Sequence, residues 1–332
     1  MSVKNSYINT LIVAIAFSFL SYQVRLFFNS PNVLAQVNVP SKETIENYDT
    51  IFVGTSRVQH GINVNYYDSL NNNKTSSLNI STGALSFYEA REMINVLLQR
   101  NKKSLKIFLE PDFLMLHQIW LEKTYRATYF MSLSNMVSLI IDIVKGRYRL
   151  LLSKEQKTYS FVLNKLFSLW RKRFTNLGLF WHSIKEKNHP KRWENGNEGF
   201  SPLATEKNQK EKIKKQIKII SKNSPYNIQE RHINMINELY EYAKNKGVEL
   251  YILLPPSLIF SQNNHTAIVK HKKRGEINAP VIDFASYKLN SDLYKEKLYA
   301  NVDHLNIEGS TYFTRKIASC IRNLESCKHV IH

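Results

Sequence analysis

The chain has 332 residues, of which 43% are hydrophobic and 12% aromatic, and 46 basic against 27 acidic side chains give a formal charge of +19. That apolar content excludes a disordered chain and suffices for one large domain or two ordinary ones, while only ten glycines and nine prolines exclude a Gly- or Pro-rich linker design. The basic excess draws polyanions such as nucleic acid, anionic headgroups or acidic polysaccharide, and by itself selects none of them.

In chain order, the first feature is apolar. From Asn5 to Val24 no residue is charged, and Leu11 to Leu20 is apolar apart from Ser18, about the length of one spanning helix. Lys4 and the amino terminus give a positive inner flank that Arg25 partly offsets. Val33-Leu34-Ala35 resembles a signal-peptidase site but lies far beyond the apolar run. Residues 1–28 are therefore expected to be an uncleaved signal anchor, with the bulk of the chain outside the cytoplasm. The alternative is an amino-terminal helix docked on a soluble core. Residues 29–47, with Pro31 and Pro40, form a polar spacer.

Strands and helices then alternate. Thr50–Val53 is a buried-type strand that stops at Gly54-Thr55-Ser56-Arg57, and Leu78–Ile80 is a short second run ending near Gly83. The spacing of Phe87, Ala90, Ile94, Leu97 and Leu98 predicts a helix over 86–100. Leu105–Leu109 is a third strand, closed by Glu110-Pro111-Asp112. The pattern resumes with a helix over 228–246 and a capping Gly247. The strand "VELYILLPP", a short strand "APVIDFA" with the terminal acid Asp283, and a last helix over about 310–323 complete it. Continuously apolar strands between helices predict an α/β fold whose parallel sheet is covered on both faces.

Residues 113–225 break the rhythm. Between Lys145 and Lys222 stand 20 Lys or Arg and 6 Asp or Glu, so this segment holds most of the basic excess. It is too long for a structureless loop. It is expected to be a basic helical insertion, a lid or a surface facing glycan or membrane, with "ATEKNQKEKIKKQIKIISKN" as its final amphipathic helix. Trp170, Trp181 and Trp193 beside basic residues suit an interfacial or carbohydrate-contacting role or plain packing. The two cysteines, Cys320 and Cys327, would stand about 10 Å apart on one unbroken helix. Two free thiols are expected, because a bridge requires the helix to end between them. No metal-ligand spacing is present.

Chemistry gathers where parallel sheets place it, at strand carboxyl ends. Ser56 falls there, with backbone N–H groups around it if Arg57 begins a helix. A serine hydroxyl needs a base, and His304 in "NVDHLNIEGS" is the candidate among ten histidines because it precedes a helix start. Arg57, beside the serine, is more commonly a salt-bridge residue but could hold an anionic group.

These two stretches resemble the SGNH (GDSL-like) hydrolases. Gly54-Thr55-Ser56 matches their first block, Gly83 stands where a second block supplies a backbone oxyanion donor, and His304 matches the histidine of their last block. The "GTSR" start and "DHLN" end are similar to the membrane-anchored bacterial subgroup that includes teichoic-acid D-alanylation and alginate O-acetylation proteins. The resemblance implies a three-layer, flavodoxin-like parallel sheet over 48–112 and 226–326, interrupted by the insertion. It implies a serine acyl esterase or O-acyltransferase acting on envelope or exopolysaccharide glycans, without metal or organic cofactor. The partners it implies are an acylated glycan or acidic polysaccharide, an anionic membrane surface and a membrane-bound acyltransferase. Nucleic acid is not expected, since the amino-terminal apolar segment opposes a cytoplasmic reading. Two positions depart from the family pattern. Asn301 occupies the place of the triad aspartate, leaving Asp303 as the nearest carboxylate, and no asparagine near Glu110-Pro111-Asp112 supplies the usual oxyanion donor. These departures keep open a non-catalytic protein of the same fold that binds glycan or an acyltransferase.

Overall fold

The computed structural model describes residues 46–112 and 200–331, except 84, 86, 101–104, 206, 221–227, 229 and 260. The expected anchor, the spacer up to residue 45 and most of the insertion, with its three tryptophans, lie outside the described residues. The described residues fall within one compact unit, residues 42–116 with 191–332. Among them no helix is long and apolar enough to cross a membrane.

The fold is α/β. Six strands form one sheet: β1 (Thr50–Val53), β2 (Ser77–Asn79), β3 (Lys106–Leu109), β4 (Glu249–Leu254), β5 (Val281–Asp283) and β6 (Val330–Ile331). Their order across the sheet is β2-β1-β3-β4-β5-β6. The first five run parallel, and β6 alone is antiparallel, pairing Val330 with Ile282. Seven helices are described: α1 (Ser56–Gly61), α2 (Val64–Leu70), α3 (Phe87–Arg100), α4 (Lys210–Ile219), α5 (Glu230–Asn245), α6 (Ser261–Lys273) and α7 (Ile307–Arg322).

Side chains alternate faces along each strand. Phe52, Phe108, Leu253 and Ile282 point into a core that also holds Val58, Tyr67, Ile213, Phe313 and Ile317, from α1, α2, α4 and α7. In register across β1, β3 and β4, Phe52 stacks on Phe108 at 5.1 Å and Phe108 on Tyr251 at 5.2 Å. Ile51, Val53, Ile107, Leu109, Ile252 and Val281 point the other way and are equally buried. Both faces of the central strands are thus withdrawn from water, as their unbroken apolar runs require.

The expected elements appear within a few residues of their sequence-based limits. The last helix starts at Ile307 rather than near 310, because Asn306 Oδ1 accepts from the Gly309 N–H and caps it. Gly309 has no room for a side chain, since a Cβ there would meet the Leu298 carbonyl oxygen at 2.0 Å. Helix α4 is present as a basic amphipathic helix, burying Ile213 and exposing Lys210, Lys212, Lys214, Lys215 and Lys218. Helix α6 gave little sequence signal, being mostly polar around a short apolar run, Ala267-Ile268-Val269.

The cysteines correct an expectation. Cys320 and Cys327 form a disulfide with Cα atoms 5.1 Å apart. Helix α7 ends at Arg322, so the chain turns back between them and the helical separation does not apply. Replacing both cysteines by serine is expected to lower the unfolding free energy by about 2.5 kcal/mol, the loop-closure value for a loop this short. Urea unfolding reads the change, and an unmoved midpoint would show that the bridge contributes no such constraint.

Candidate active site

Several loops meet at the carboxyl edge of the sheet. The β1 strand enters the turn Gly54-Thr55 and continues into α1 at Ser56. Gly54 is required there, because an added Cβ would lie 2.6 Å from Val58 Cγ2 and 2.9 Å from Glu110 Cβ. This close approach lets Glu110, just past β3, hold the turn: Glu110 Oε2 accepts from Thr55 N–H at 2.9 Å and from Thr55 Oγ1 at 2.8 Å. Thr55 in turn caps α1, its Oγ1 accepting from the Arg57 N–H. Ser56 is the first helical residue, a position whose N–H has no partner inside the helix.

Opposite it, the loop before α7 brings His304 to the serine. His304 Nε2 lies 2.7 Å from Ser56 Oγ, and Nδ1 lies 3.0 Å from Asn301 Oδ1. The same Asn301 oxygen accepts the backbone N–H groups of Asp303 at 3.0 Å and His304 at 3.1 Å. Two backbone donors identify that atom as the amide oxygen, so His304 Nδ1 must carry the proton it donates there. Nε2 is then the lone-pair nitrogen, and the Ser56 hydroxyl donates to it. Asn301 therefore fixes the tautomer that an aspartate would fix, but without a negative charge. Burial lowers the His304 pKa below its ordinary value; the Asp303 carboxylate opposes this, and His60 and Arg57 add to it.

Asp303 does not take the place of the triad acid. It turns to Arg57 Nη1, 3.4 Å away, and accepts from Ser257 Oγ at 3.1 Å. Arg57 is correspondingly unsuited to binding a substrate anion. Its Nε donates to Glu110 Oε1 at 2.7 Å, its Nη2 pairs with Asp112, and its side chain is 5% exposed. Burial works against the guanidinium charge, but Glu110, Asp303 and Asp112 more than offset it and raise the Arg57 pKa well above the usual arginine value. Burial would raise the Glu110 carboxyl as well, yet Arg57 and His265 hold it down at about 2. His265 Nε2 is 3.7 Å from Glu110 Oε1, beyond hydrogen-bond reach.

Gly83 sits exposed in the turn after β2, next to Thr82, whose N–H donates to the Gly54 carbonyl at 3.0 Å. That bond brings the Gly83 turn alongside the serine turn. Asp283, by contrast, closes β5 by accepting from the N–H groups of Ala285 and Ser286, a local turn role.

Several contributors carried no sequence signal. Residues 200–205 lie across the site: Ser201 N–H donates to Gln59 O, its carbonyl meets His60 Nδ1, Leu203 O accepts from Ile307 N–H, and Asn306 Nδ2 donates to Thr205 Oγ1. Glu110 and Asp112 were visible only as acids closing β3. Among the described residues no cluster of three or more His, Cys, Asp or Glu is arranged to hold a metal ion. Two surface cavities, about 360 and 520 Å³, include neither Ser56 nor His304 in their linings.

No protein-family model and no curated protein matches the chain.

The ion cluster makes a pH prediction. Because the folded Glu110 pKa lies below its ordinary 4.5, its contribution is present above that value and is lost as pH falls through about 2. Glu110→Gln is expected to cost about 3–5 kcal/mol at pH 7 by stranding part of a buried ion pair. It should also flatten the loss of stability between pH 4.5 and 2. Urea unfolding across pH tests both, and an equal acid slope in the two proteins would remove Glu110 from this role.

Proposed function

We propose that the protein is a membrane-anchored, extracytoplasmic serine acyl esterase or O-acyltransferase of the SGNH type, acting on acylated envelope or exopolysaccharide glycans. The observation that carries this reading is the 2.7 Å contact of Ser56 Oγ with His304 Nε2, made by residues 248 positions apart. A histidine in the serine-accepting tautomer, backed by a third residue, is the arrangement that activates a weak nucleophile. The strand order 2-1-3-4-5 is that of flavodoxin-like, three-layer sheets, which suits the same family. Gly54-Thr55-Ser56 and Asp303-His304-Leu305-Asn306 suit it as well.

In the reaction, His304 Nε2 takes the Ser56 proton as Oγ attacks the ester carbonyl carbon. The Ser56 N–H and the turn carrying Gly83 offer donors to the resulting oxyanion. The intermediate expels the sugar oxygen, which receives the proton from His304, leaving an acyl group on Ser56. Water, or a second sugar hydroxyl, then gives up its proton to His304 and takes the acyl group, and His304 returns that proton to the departing Ser56 Oγ. During each step Asn301 holds the imidazole in place, while Asp303, near but not bonded to it, supplies favourable charge for the imidazolium.

The disulfide supports an extracytoplasmic setting, since such bonds persist where the surroundings are oxidising. The apolar stretch at 11–20 supplies the anchor in this reading. The five exposed lysines of α4 suit an acidic polymer or an anionic membrane surface nearby. A membrane-bound acyltransferase would be the acyl donor's source if transfer rather than hydrolysis is the outcome.

Asn301 and the acids Glu110 and Asp112, standing where the family has an amide donor, favour a second reading: a non-catalytic glycan-binding or acyltransferase-binding protein of the same fold. A serine-directed fluorophosphonate separates the two. The first reading expects labelling of the folded full-length chain that vanishes in Ser56→Ala; an unlabelled folded protein favours the second. Asn301→Asp makes a further test. The three donors at its oxygen suit a carboxylate, whose charge would stabilise the imidazolium, so a roughly tenfold or greater gain in labelling or ester turnover is expected. A loss would mean that the amide is required for another contact.

A further inference from the structure

The smaller of the two cavities, about 360 Å³, opens beside the first turns of α7 and is walled on its other side by the stretch 292–298. Five of its lining side chains are charged: Asp292, Lys295, Lys297, Glu308 and Arg315. Both acids are already paired. Asp292 Oδ2 takes Lys316 Nζ at 2.6 Å and the Tyr312 hydroxyl at 2.5 Å, and Glu308 Oε1 takes Lys297 Nζ at 2.5 Å. Arg315 donates through Nε and Nη2 to the neutral Tyr66 hydroxyl, at 3.3 and 3.0 Å. Among the described residues neither Arg315 nor Lys295 pairs with a carboxylate. The cavity thus keeps two positive charges that its own acids do not neutralise.

The cavity wall is bonded to the loop that carries His304. Asn306 Nδ2 donates to Lys297 O at 2.7 Å, the Asn306 N–H donates to Leu298 O at 3.0 Å, and the Ala300 N–H donates to His304 O at 2.9 Å. The segment 200–205 clamps the same loop through Leu203 O and Thr205 Oγ1. Only Leu305, Asn306 and Ile307 separate His304 from Glu308 in the chain, and Ile307 is 56% exposed. We propose that this cavity is a subsite for a carboxylate-bearing sugar unit of the glycan, held by Lys295 and Arg315 while a neighbouring unit presents its acyl ester to Ser56. The identity of the polymer rests on the reading above; binding in the cavity does not require Ser56 to react.

The chemistry of the lining selects the ligand class. Arg315 Nη1 takes no part in the Tyr66 contact, so it and Lys295 Nζ can donate charge-assisted hydrogen bonds to an anion. Tyr66 already holds the guanidinium, which lowers the freedom lost on binding. One negative charge suits the site better than two, because a phosphate dianion would also face Asp292 and Glu308 at short range. Those two acids offer acceptors to ring hydroxyls, and Leu298 and the Tyr312 ring give apolar surface to the carbon face of a sugar. Apolar contact with a few fixed polar groups is how concave sites orient a ligand, and the volume is within their range. Helix α4 packs against the turn Glu296–Leu298, so its exposed lysines continue the positive surface along which an acidic polymer would lie.

The test is calorimetric titration of the full-length Ser56→Ala chain with a uronic-acid tetrasaccharide and, separately, with a neutral hexose tetrasaccharide. The uronate is expected to bind and the neutral sugar is not. Lys295→Gln combined with Arg315→Gln is expected to weaken uronate binding roughly tenfold or more. Lys74→Gln combined with Lys106→Gln removes the same charge at the opposite, amino edge of the sheet and is expected to leave the affinity unchanged. All four side chains are at least partly exposed, so both double variants should fold. No uronate binding, equal affinity for the neutral sugar, or an equal loss in the two double variants each overturns the proposal. Fluorophosphonate labelling of the wild type keeps the two readings apart. Specific uronate binding by a chain that never labels at Ser56 removes the nucleophile and leaves this site standing, whereas labelling without uronate binding does the reverse.

Discussion

The Arg57 guanidinium is the fixed point of the site. It lies buried among three carboxylates that come from two distant places in the chain: Glu110 and Asp112 beyond β3, and Asp303 on the loop before α7. A planar group with donors pointing in several directions can bond all three at once, which an ammonium could not do with the same geometry. Its backbone belongs to the first turn of α1, directly after Ser56. The residue that follows the serine thus anchors both the neighbouring strand end and the histidine loop. Glu110 completes the arrangement by gripping Thr55 as well as Arg57. The cluster thus ties the turn that carries the hydroxyl to the loop that carries the imidazole.

The cluster also explains a division of labour among the polar residues around His304. Arg57 and Ser257 take the Asp303 carboxylate, so Asp303 is not free to bond the imidazole. The tautomer is set instead by Asn301, whose oxygen is locked by two backbone donors and so cannot present its amide nitrogen to the ring. A neutral acceptor here gives direction without full charge compensation.

How much of this was legible beforehand depended on the kind of signal. The strands of the sheet announced themselves because runs such as Ile51-Phe52-Val53 and Ile107-Phe108-Leu109 are apolar on both faces, which only an interior strand tolerates. Ser56 and His304 were legible because each sits at a boundary where a strand ends or a helix begins, and such boundaries carry local residue preferences. Arg57 read as a salt-bridge residue, but its partners could not be named, since the pairing with Asp303 spans 246 positions and leaves no periodic trace. The disulfide was misjudged for a related reason. Helical periodicity carried through Cys320, and the turn after Arg322 has no glycine or proline to declare it. The clamp formed by 200–205 belongs to the same class, because it bonds chiefly through backbone atoms that every sequence possesses.

The distance in sequence between Ser56 and His304 bears on the protein's biogenesis. A chain emerging amino end first exposes its hydroxyl early, while the imidazole, the helix α7 that seats it and the cysteine pair beyond arrive 248 or more positions later. The nascent chain therefore carries Ser56 without its histidine neighbour until the segment bearing His304 has emerged, and a product truncated before that segment would lack both the neighbour and the disulfide.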